Sequence, residues 1–329
     1  MINEYKTILI TGATGFVGSH LVRYYTNKPF KIIALGRSKP NAKLLKTAVE
    51  YYQTDIRSDN LPSEAEIIIH SAGLASDTAT WKELLDNNVF GTKNLINKVK
   101  HKLFIYISSA SVYPISDKIH RETDNIHVGL LNDYGRSKYL AEEIALKHNH
   151  SVVLRPRAIY GTHDRVLLPK ILGMKKANKI IAPCNISKTI SMTNINNLIY
   201  AIELCIANPE IAINQVFNVT DSITYILKEI ITNLFYGIYN QKIPIQTLPF
   251  PVSKSISKIA ELLHLKTKLT KTALDMICFN NVLSNDKIET LLKYNPKIDF
   301  NSYLPELINW IASKRIDKII NDPSGIPWD

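Results

Sequence analysis

Tyr134 and Lys138 stand four residues apart where a helical pattern begins, so their side chains share one face of a helix. A free phenol titrates near ~10, too high for a base at neutral pH. A neighbouring ammonium favours the phenolate and brings that value down. A tyrosine so placed accepts a proton from an alcohol or donates one to a carbonyl. Such a pair occurs on many long helices and gains meaning only from its surroundings. Ser108 and Ser109 follow an apolar run at 103–107, and either hydroxyl can orient a substrate oxygen beside the tyrosine. The histidines offer no rival chemistry. His148 and His150 lie two apart without an acidic cluster, so no metal site is expected.

The surroundings begin at Thr11-Gly12-Ala13-Thr14-Gly15-Phe16-Val17-Gly18, between a strand-like run and a helical one. A dinucleotide-binding turn needs glycine at these places: for the tight turn at Gly12, for close approach of a pyrophosphate at Gly15, and for helix-on-sheet packing at Gly18. The helix amino terminus then offers free N–H groups and a positive dipole to phosphate. A bound, oxidised nicotinamide ring would add to Lys138 in lowering the Tyr134 phenol. An NAD-selective turn carries an acidic residue at the end of the second strand. Gly36 stands at that place here, followed by Arg37-Ser38-Lys39. Nothing repels a 2′-phosphate, and Arg37 offers it a planar fork of donors. NADP(H) is therefore expected over NAD(H), with NAD(H) as the alternative.

These residues need a scaffold to bring them together. Apolar runs at 6–10, 30–35, 49–53, 66–70, 103–107 and 151–155 read as buried strands, and 17–27, 81–100 and 135–148 as amphipathic helices. Strand and helix in alternation give βαβ units and a mostly parallel sheet. A helix at about 194–207 and a strand at 215–219 return to that sheet. Elsewhere the pattern loosens into a Lys-rich helix at 166–176, a weak strand pair at 179–192, helices at 223–236, 285–293 and 303–314, and a helical, lysine-bearing stretch at 252–278. The expected architecture is α/β, a Rossmann-type doubly wound parallel sheet with a smaller, discontinuous lobe. Residues 1–165 and 194–222 form the nucleotide-binding domain in this reading, and 166–193 and 223–329 the substrate-binding lobe.

Composition narrows the class. Hydrophobic residues are 45% and charged residues 21% of the 329, enough for a sizeable core and incompatible with disorder. The three cysteines, Cys184, Cys205 and Cys278, are too scattered to suggest a disulfide framework or zinc site, so a reducing compartment is expected. No apolar stretch reaches the ~18 residues of a membrane helix. Residues 1–6 lack the apolar segment of a signal peptide, so the expected address is the cytoplasm. The net charge of +11 is spread along the chain without a basic block or interleaved aromatics, so no nucleic-acid partner is expected. It does favour anionic small molecules at long range.

The spacing T-G-x-x-G-x-x-G resembles the extended short-chain dehydrogenase/reductase family. Further matches follow in that family's order over nearly the whole chain: Asp55, then His70-Ser71-Ala72-Gly73, Asn88-Val89-Phe90-Gly91-Thr92-Lys93-Asn94-Leu95, Ile107-Ser108-Ser109-Ala110-Ser111-Val112-Tyr113, Tyr134-Gly135-Arg136-Ser137-Lys138, and Leu154-Arg155-Pro156-Arg157-Ala158-Ile159-Tyr160-Gly161. The resemblance implies a cofactor site of Gly12, Thr14, Gly15, Phe16, Val17, Gly18, Arg37, Asp55, Ile56, Ser71, Ala72, Gly73, Asn88, Pro156 and Ile159, joined by Tyr134 and Lys138. It implies that Lys138 holds the nicotinamide ribose and that Asp55 meets the adenine. It selects Ser109, four residues before Tyr113, as the catalytic serine with Tyr134 and Lys138. Ser111 and Arg165 are expected in the substrate pocket. Ala110 and Ser111 replace the acidic pair of the family's dehydratases, which argues against water elimination.

Within the family two branches compete. Nucleotide-sugar enzymes carry an arginine for the diphosphate where this chain has Ile190. The segments 155–161 and 164–169, and more loosely 269–271, 284–287 and 305–310, resemble 3β-hydroxysteroid dehydrogenase-like members. An oxidoreductase acting on a steroid- or lipid-like alcohol or ketone is the expectation. A nucleotide-sugar epimerase and a non-catalytic dinucleotide-binding regulator are the alternatives. The resemblance also implies a homodimer through helices at 83–100 and 135–148. The stretch 252–278, where Ile256, Ile259, Leu262, Leu263 and Leu269 recur among Lys254, Lys258, Lys266, Lys268 and Lys271, reads either as a cover over the substrate pocket or as a weak peripheral membrane contact.

Overall fold

The computed structural model describes residues 6–40, 49–76, 78–262 and 270–326. Seven strands form one parallel sheet: β1 (Thr7–Thr11), β2 (Lys31–Gly36), β3 (Val49–Gln53), β4 (Ile67–His70), β5 (Leu103–Ile107), β7 (Ser151–Pro156) and β13 (Val216–Val219), in the order β13-β7-β5-β4-β1-β2-β3. The order reverses between β1 and β4, which opens a crevice at their carboxyl ends, the place where such sheets bind ligands. The central strands are buried on both faces because helices cover each side. Ile8, Ile10, Ile32 and Ile69 pack on one face with Leu21 and Val22 of α1 (Phe16–Tyr25) and Leu198 and Ile202 of α6 (Ile195–Ala207). Leu9, Ile33 and Ile68 point the other way, onto Leu95 of α3 (Gly91–Lys98) and Ala141 of α4 (Asp133–Leu146). Residue alternation along each strand thus feeds both layers.

The helix expected at 81–100 is composite. A turn of α2 (Trp81–Leu84), closed by a capping box between Thr80 and Glu83, passes into a π-helical segment at Leu85–Phe90 and then α3. π-Segments recur at functional sites, and this one carries the buried Asn88.

The rest of the chain builds a second apolar cluster from α5 (Leu167–Leu172), α8 (Leu227–Tyr239), α10 (Lys271–Cys278), α12 (Phe300–Ala312) and α13 (Ile316–Asn321). Short strand pairs tie it together: β8 (Ile159–Tyr160) with β12 (Thr193–Asn194), β11 (Thr189–Ile190) with β14 (Tyr225–Ile226), and β6 (Ile119–His120) with β16 (Val282–Leu283). A three-stranded sheet joins β9 (Lys175–Lys176), β10 (Lys179–Ala182) and β15 (Ile245–Thr247). α7 (Pro209–Ala212), α9 (Phe250–Leu262) and α11 (Asp286–Leu292) complete the described elements. Asp221 is a polar hub between sheet and cluster. It accepts hydrogen bonds from Tyr160 Oη (2.9 Å), Tyr225 Oη (2.8 Å), Asn197 Nδ2 (2.7 Å) and the Asn194 amide (2.8 Å).

Three expectations are corrected here. The helix at 166–176 ends at Leu172, and Lys175–Lys176 turn back as β9. The strands at 179–192 do not pair with each other: β10 lies between β9 and β15, and β11 joins β14. Cys184 and Cys278, 94 residues apart, form a disulfide, while Cys205 is free and buried. Distance along the chain concealed this pairing, because tertiary packing sets the loop after β10 against the end of α10. The cysteine content therefore carries no argument for a reducing compartment. Of the stretch 252–278, Leu263, Lys266, Lys268 and Leu269 lie outside the described residues. Among the described residues, no helix is long and apolar enough to cross a membrane.

Candidate active site

The glycine turn leaves β1 through Gly12, whose φ of +67° is a conformation that favours glycine. A Cβ there would stand 2.9 Å from the Ala72 backbone, and one on Gly18 only 2.1 Å from the Gly12 carbonyl. Both contacts press α1 and the β4 loop onto the turn and leave a cleft above it. The cleft is lined by Gly12, Thr14, Gly15, Gly36, Arg37, Ser38, Asp55, Ile56, Ser71, Ala72, Gly73 and Arg165. Most of the expected cofactor residues therefore converge on one surface. Phe16, Val17 and Gly18 start α1 beside it. Arg165, expected on the substrate side, lines this same cleft and has its Nε buried without a partner. Asp55 receives Arg57 through Nε (2.9 Å) and Nη2 (2.8 Å), and this pairing holds its carboxyl below the usual range.

Asn88, Pro156 and Ile159, also expected at the cofactor, lie outside the lining of this cleft. Asn88 is buried, donates to Ser137 Oγ (2.9 Å) and accepts from the Leu74 amide (2.6 Å), so it fixes the β4 loop to α4. Pro156 ends β7 beside Val219 of β13, and Ile159 belongs to β8. His70 is sealed between Thr11 Oγ1 (2.7 Å) and Thr92 Oγ1 (2.9 Å). Burial, helped by the Lys138 charge, pushes its pKa down to about 3, so it stays neutral under the crevice.

The expected catalytic residues lie near the end of β5. Ser109 caps a short turn at Ala110–Val112, its Oγ accepting from the Ser111 amide and donating to Ser111 Oγ, both at 3.1 Å. Ser108 points away: it donates to Glu142, which is locked in a buried pair with Arg155. Ser109 and Ser111 are half-buried in the turn that follows β5. α4 starts at the Asn132 cap, whose side chain accepts from the Gly135 amide at 2.8 Å. A Cβ on Gly135 would fall 2.0 Å from the Ser111 carbonyl, so only glycine lets the first turn of α4 close on the serine turn. Tyr134, half-buried, is carried there with it. One turn on, Lys138 is buried, donates to the Ile107 carbonyl at 2.8 Å and lies 4.2 Å over the Tyr106 ring. Burial lowers its pKa to about 7, against the pull of Glu142.

Arg157 belongs to the Leu154–Gly161 motif, where the family resemblance implies no role for it. It is buried just past the end of β7, its Nε lacks a partner, and burial lowers its pKa to about 10. No signal in the sequence distinguishes it from the paired Arg155 two positions earlier.

Residues 8–219 match the NAD dependent epimerase/dehydratase family. The chain belongs to that family. This family member is 26% identical over 332 residues to the sterol-4-alpha-carboxylate 3-dehydrogenase (decarboxylating) of Dictyostelium discoideum, covering 92% of the chain and 100% of the relative. It is 28% identical over 271 residues to the UDP-glucose 4-epimerase of Vibrio cholerae, covering 75% and 79% respectively. Its fold matches the UDP-glucuronic acid 4-epimerase of Bacillus cereus, crystallised with NAD, at a TM-score of 0.74 and 19% identity, over 95% of this chain and 96% of that one. The cleft fits the dinucleotide that the family's name implies: Gly12 and Gly15 line it without side chains at the start of α1, and the bare Gly12 and Gly18 let the turn close on Ala72 and on α1.

Proposed function

We propose that this protein is an NAD(P)-dependent oxidoreductase acting on a hydrophobic, steroid- or lipid-like alcohol or ketone, with Tyr134 as general acid/base. The observation that supports the reading is the close approach of the first turn of α4 to the serine turn, where a Cβ on Gly135 would fall 2.0 Å from the Ser111 carbonyl; Tyr134 adjoins this contact and Lys138 follows one turn on. The nicotinamide, when bound, accepts or supplies the hydride. Tyr134 takes the proton of the substrate hydroxyl in oxidation and returns it to the carbonyl oxygen in reduction. Ser109 orients that oxygen, and the Lys138 ammonium favours the phenolate.

The hydrophobic substrate is supported by Ile190, which is buried in the apolar cluster where nucleotide-sugar enzymes carry an arginine. The full-length likeness to a sterol carboxylate dehydrogenase points the same way. We assign NADP(H) as the preferred cofactor. A Cβ at Gly36 would sit 2.7 Å from Tyr51 Oη, so the acidic residue of an NAD-selective turn could enter only if that ring moved, and Arg37 lines the cleft instead. The test is oxidation of NADPH and NADH against steroid, sterol, long-chain keto and UDP-sugar substrates. Tyr134→Phe should keep cofactor affinity while its rate falls by ~10² or more. Near-native turnover would remove Tyr134 from the mechanism.

Likeness to a UDP-glucose 4-epimerase over three quarters of the chain favours a second reading, epimerisation through a transient ketone. Interconversion of UDP-sugars without net cofactor consumption would select it. Tight dinucleotide binding with no turnover of any substrate would select a regulator.

A further inference from the structure

α9 carries a second, outward-facing apolar stripe. Its inward positions are Phe250, half-buried with its ring 5.6 Å from that of Phe279, and Ser253, Ser257 and Ala260, all buried; among the described residues the Ser253 hydroxyl has no hydrogen-bond partner. Its outward positions include Val252, Ile256, Ile259 and Leu262, which are 46%, 44%, 56% and 77% exposed. Val252, Ile256 and Ile259 follow one another by four and three residues, so they form a single stripe along the helix. A helix packed only to stabilise its own domain presents its apolar residues to the core. This one turns Phe250 and Ala260 inward but leaves Val252, Ile256, Ile259 and Leu262 in solvent.

The sheet beside it is lysine-rich, while α10 on its other flank carries the Lys271–Asp275 pair. β15 leads into α9, and the Leu248 amide bonds the Ala182 carbonyl at the end of β10, so the three-stranded sheet abuts the helix. Lys176 and Lys179 of that sheet, Lys242 before it, and Lys254 and Lys258 on α9 are all exposed. No Asp or Glu occurs between Asp164 and Glu203, or between Glu229 and Glu261. Of these lysines only Lys258, three positions before Glu261, has an acidic residue close by in the sequence.

We propose that α9 and the β9–β10–β15 sheet dock this protein on an anionic phospholipid surface. The apolar stripe enters the headgroup boundary and the five lysines meet the lipid phosphates, the division of labour found in interfacial helices. A second copy of the chain is a poorer occupant, because a two-fold contact through α9 would bring two lysine clusters together. The proposal rests on surface composition and geometry and is independent of the reading of the catalytic residues.

The experiment is co-sedimentation of the full chain with vesicles of phosphatidylcholine alone or with one quarter phosphatidylglycerol, at low and high salt. The protein should bind the anionic vesicles at low salt and leave them at high salt. Ile256→Ser/Ile259→Ser should lower partition by ~tenfold or more, and each Lys→Gln at 176, 179 or 254 by about fivefold. Far-UV circular dichroism and cofactor binding check that these surface variants are folded. Ile259→Trp supplies a second readout, a fluorescence blue shift on adding anionic vesicles that the unsubstituted protein does not show. No binding to anionic vesicles at low salt, equal partition of the double variant, or an unshifted emission from the Ile259→Trp variant would each overturn the proposal. So would lipid-free self-association that Ile256→Ser/Ile259→Ser abolishes, since the stripe would then belong to a second copy.

Discussion

Burial holds the Lys138 amine at about 7, far under the ordinary lysine value, while the Glu142 carboxylate pulls the other way. In the unfolded chain the same amine stays protonated up to ~10.4. Between those values the unfolded state binds more protons, so stability rises with pH across that window and is lost as pH falls toward about 7. Without cofactor, Lys138→Met should melt above the unsubstituted protein at neutral pH, and the gap should narrow as pH rises toward ~10. A gap that is flat from neutral to alkaline pH would show that Lys138 is not desolvated. In the cleft, among the described residues, the Arg37 guanidinium makes one hydrogen bond, a long one of 3.4 Å to Asn87. Arg37→Ala should weaken NADPH by ~tenfold or more and leave NADH within about twofold. Equal dissociation constants for the two cofactors in the unsubstituted protein would refute the NADP(H) assignment.

The position of Tyr134 depends on how α4 is held. Glu142 accepts Arg155 through Nε (3.0 Å) and Nη2 (2.6 Å), and Arg155 Nη1 reaches Tyr113 Oη at 2.8 Å. This buried pair pins the middle of α4 to β7, while Gly135 lets its start, capped by Asn132, close on the serine turn. Glu142→Gln leaves a buried guanidinium without its counter-charge, which costs ~3–5 kcal/mol. Thermal and urea unfolding should show that loss, and a variant within ~1 kcal/mol of the unsubstituted protein would mean that the pair is dispensable. Much of this was readable from residue order: strand, glycine turn, serine turn and Tyr-Gly-x-x-Lys each fell on the element expected. The choice between Ser108 and Ser109 was not readable from the residues alone. Both are small hydroxyls at a strand end, and only the buried Glu142 shows which one is already engaged.

At the scale of the whole molecule, the expected dimer helices divide their apolar residues between two tasks. Leu84, Leu95, Ile96 and Ala145 are buried, whereas Phe90 at the end of the π-segment is 53% exposed. Leu85, Leu140 and Ile144 are half-buried. We propose that this residual face pairs with a second copy, giving twice 37.2 kDa in sedimentation at micromolar concentration. Phe90→Glu should return it to the monomer without altering the melt by more than ~0.5 kcal/mol, as befits an exposed site. A monomer at 37.2 kDa before substitution would reject the dimer.

The parallel sheet, the cofactor turn and the Tyr134–Lys138 spacing were determined by the sequence alone, because each depends on local periodicity or on residues a few positions apart. Periodicity is set by backbone geometry, so it survives in any context that buries the apolar face. What tertiary structure decided lies between segments distant in the chain. The Cys184–Cys278 bridge spans 94 residues, Asp221 gathers partners from β8, β12, α6 and β14, and β10 lies beside β15 rather than β11. The outward-facing apolar stripe of α9 belongs to the same class. Helical spacing shows that one face is apolar, but only the packing around Ser253 and Ser257 shows which way that face is turned.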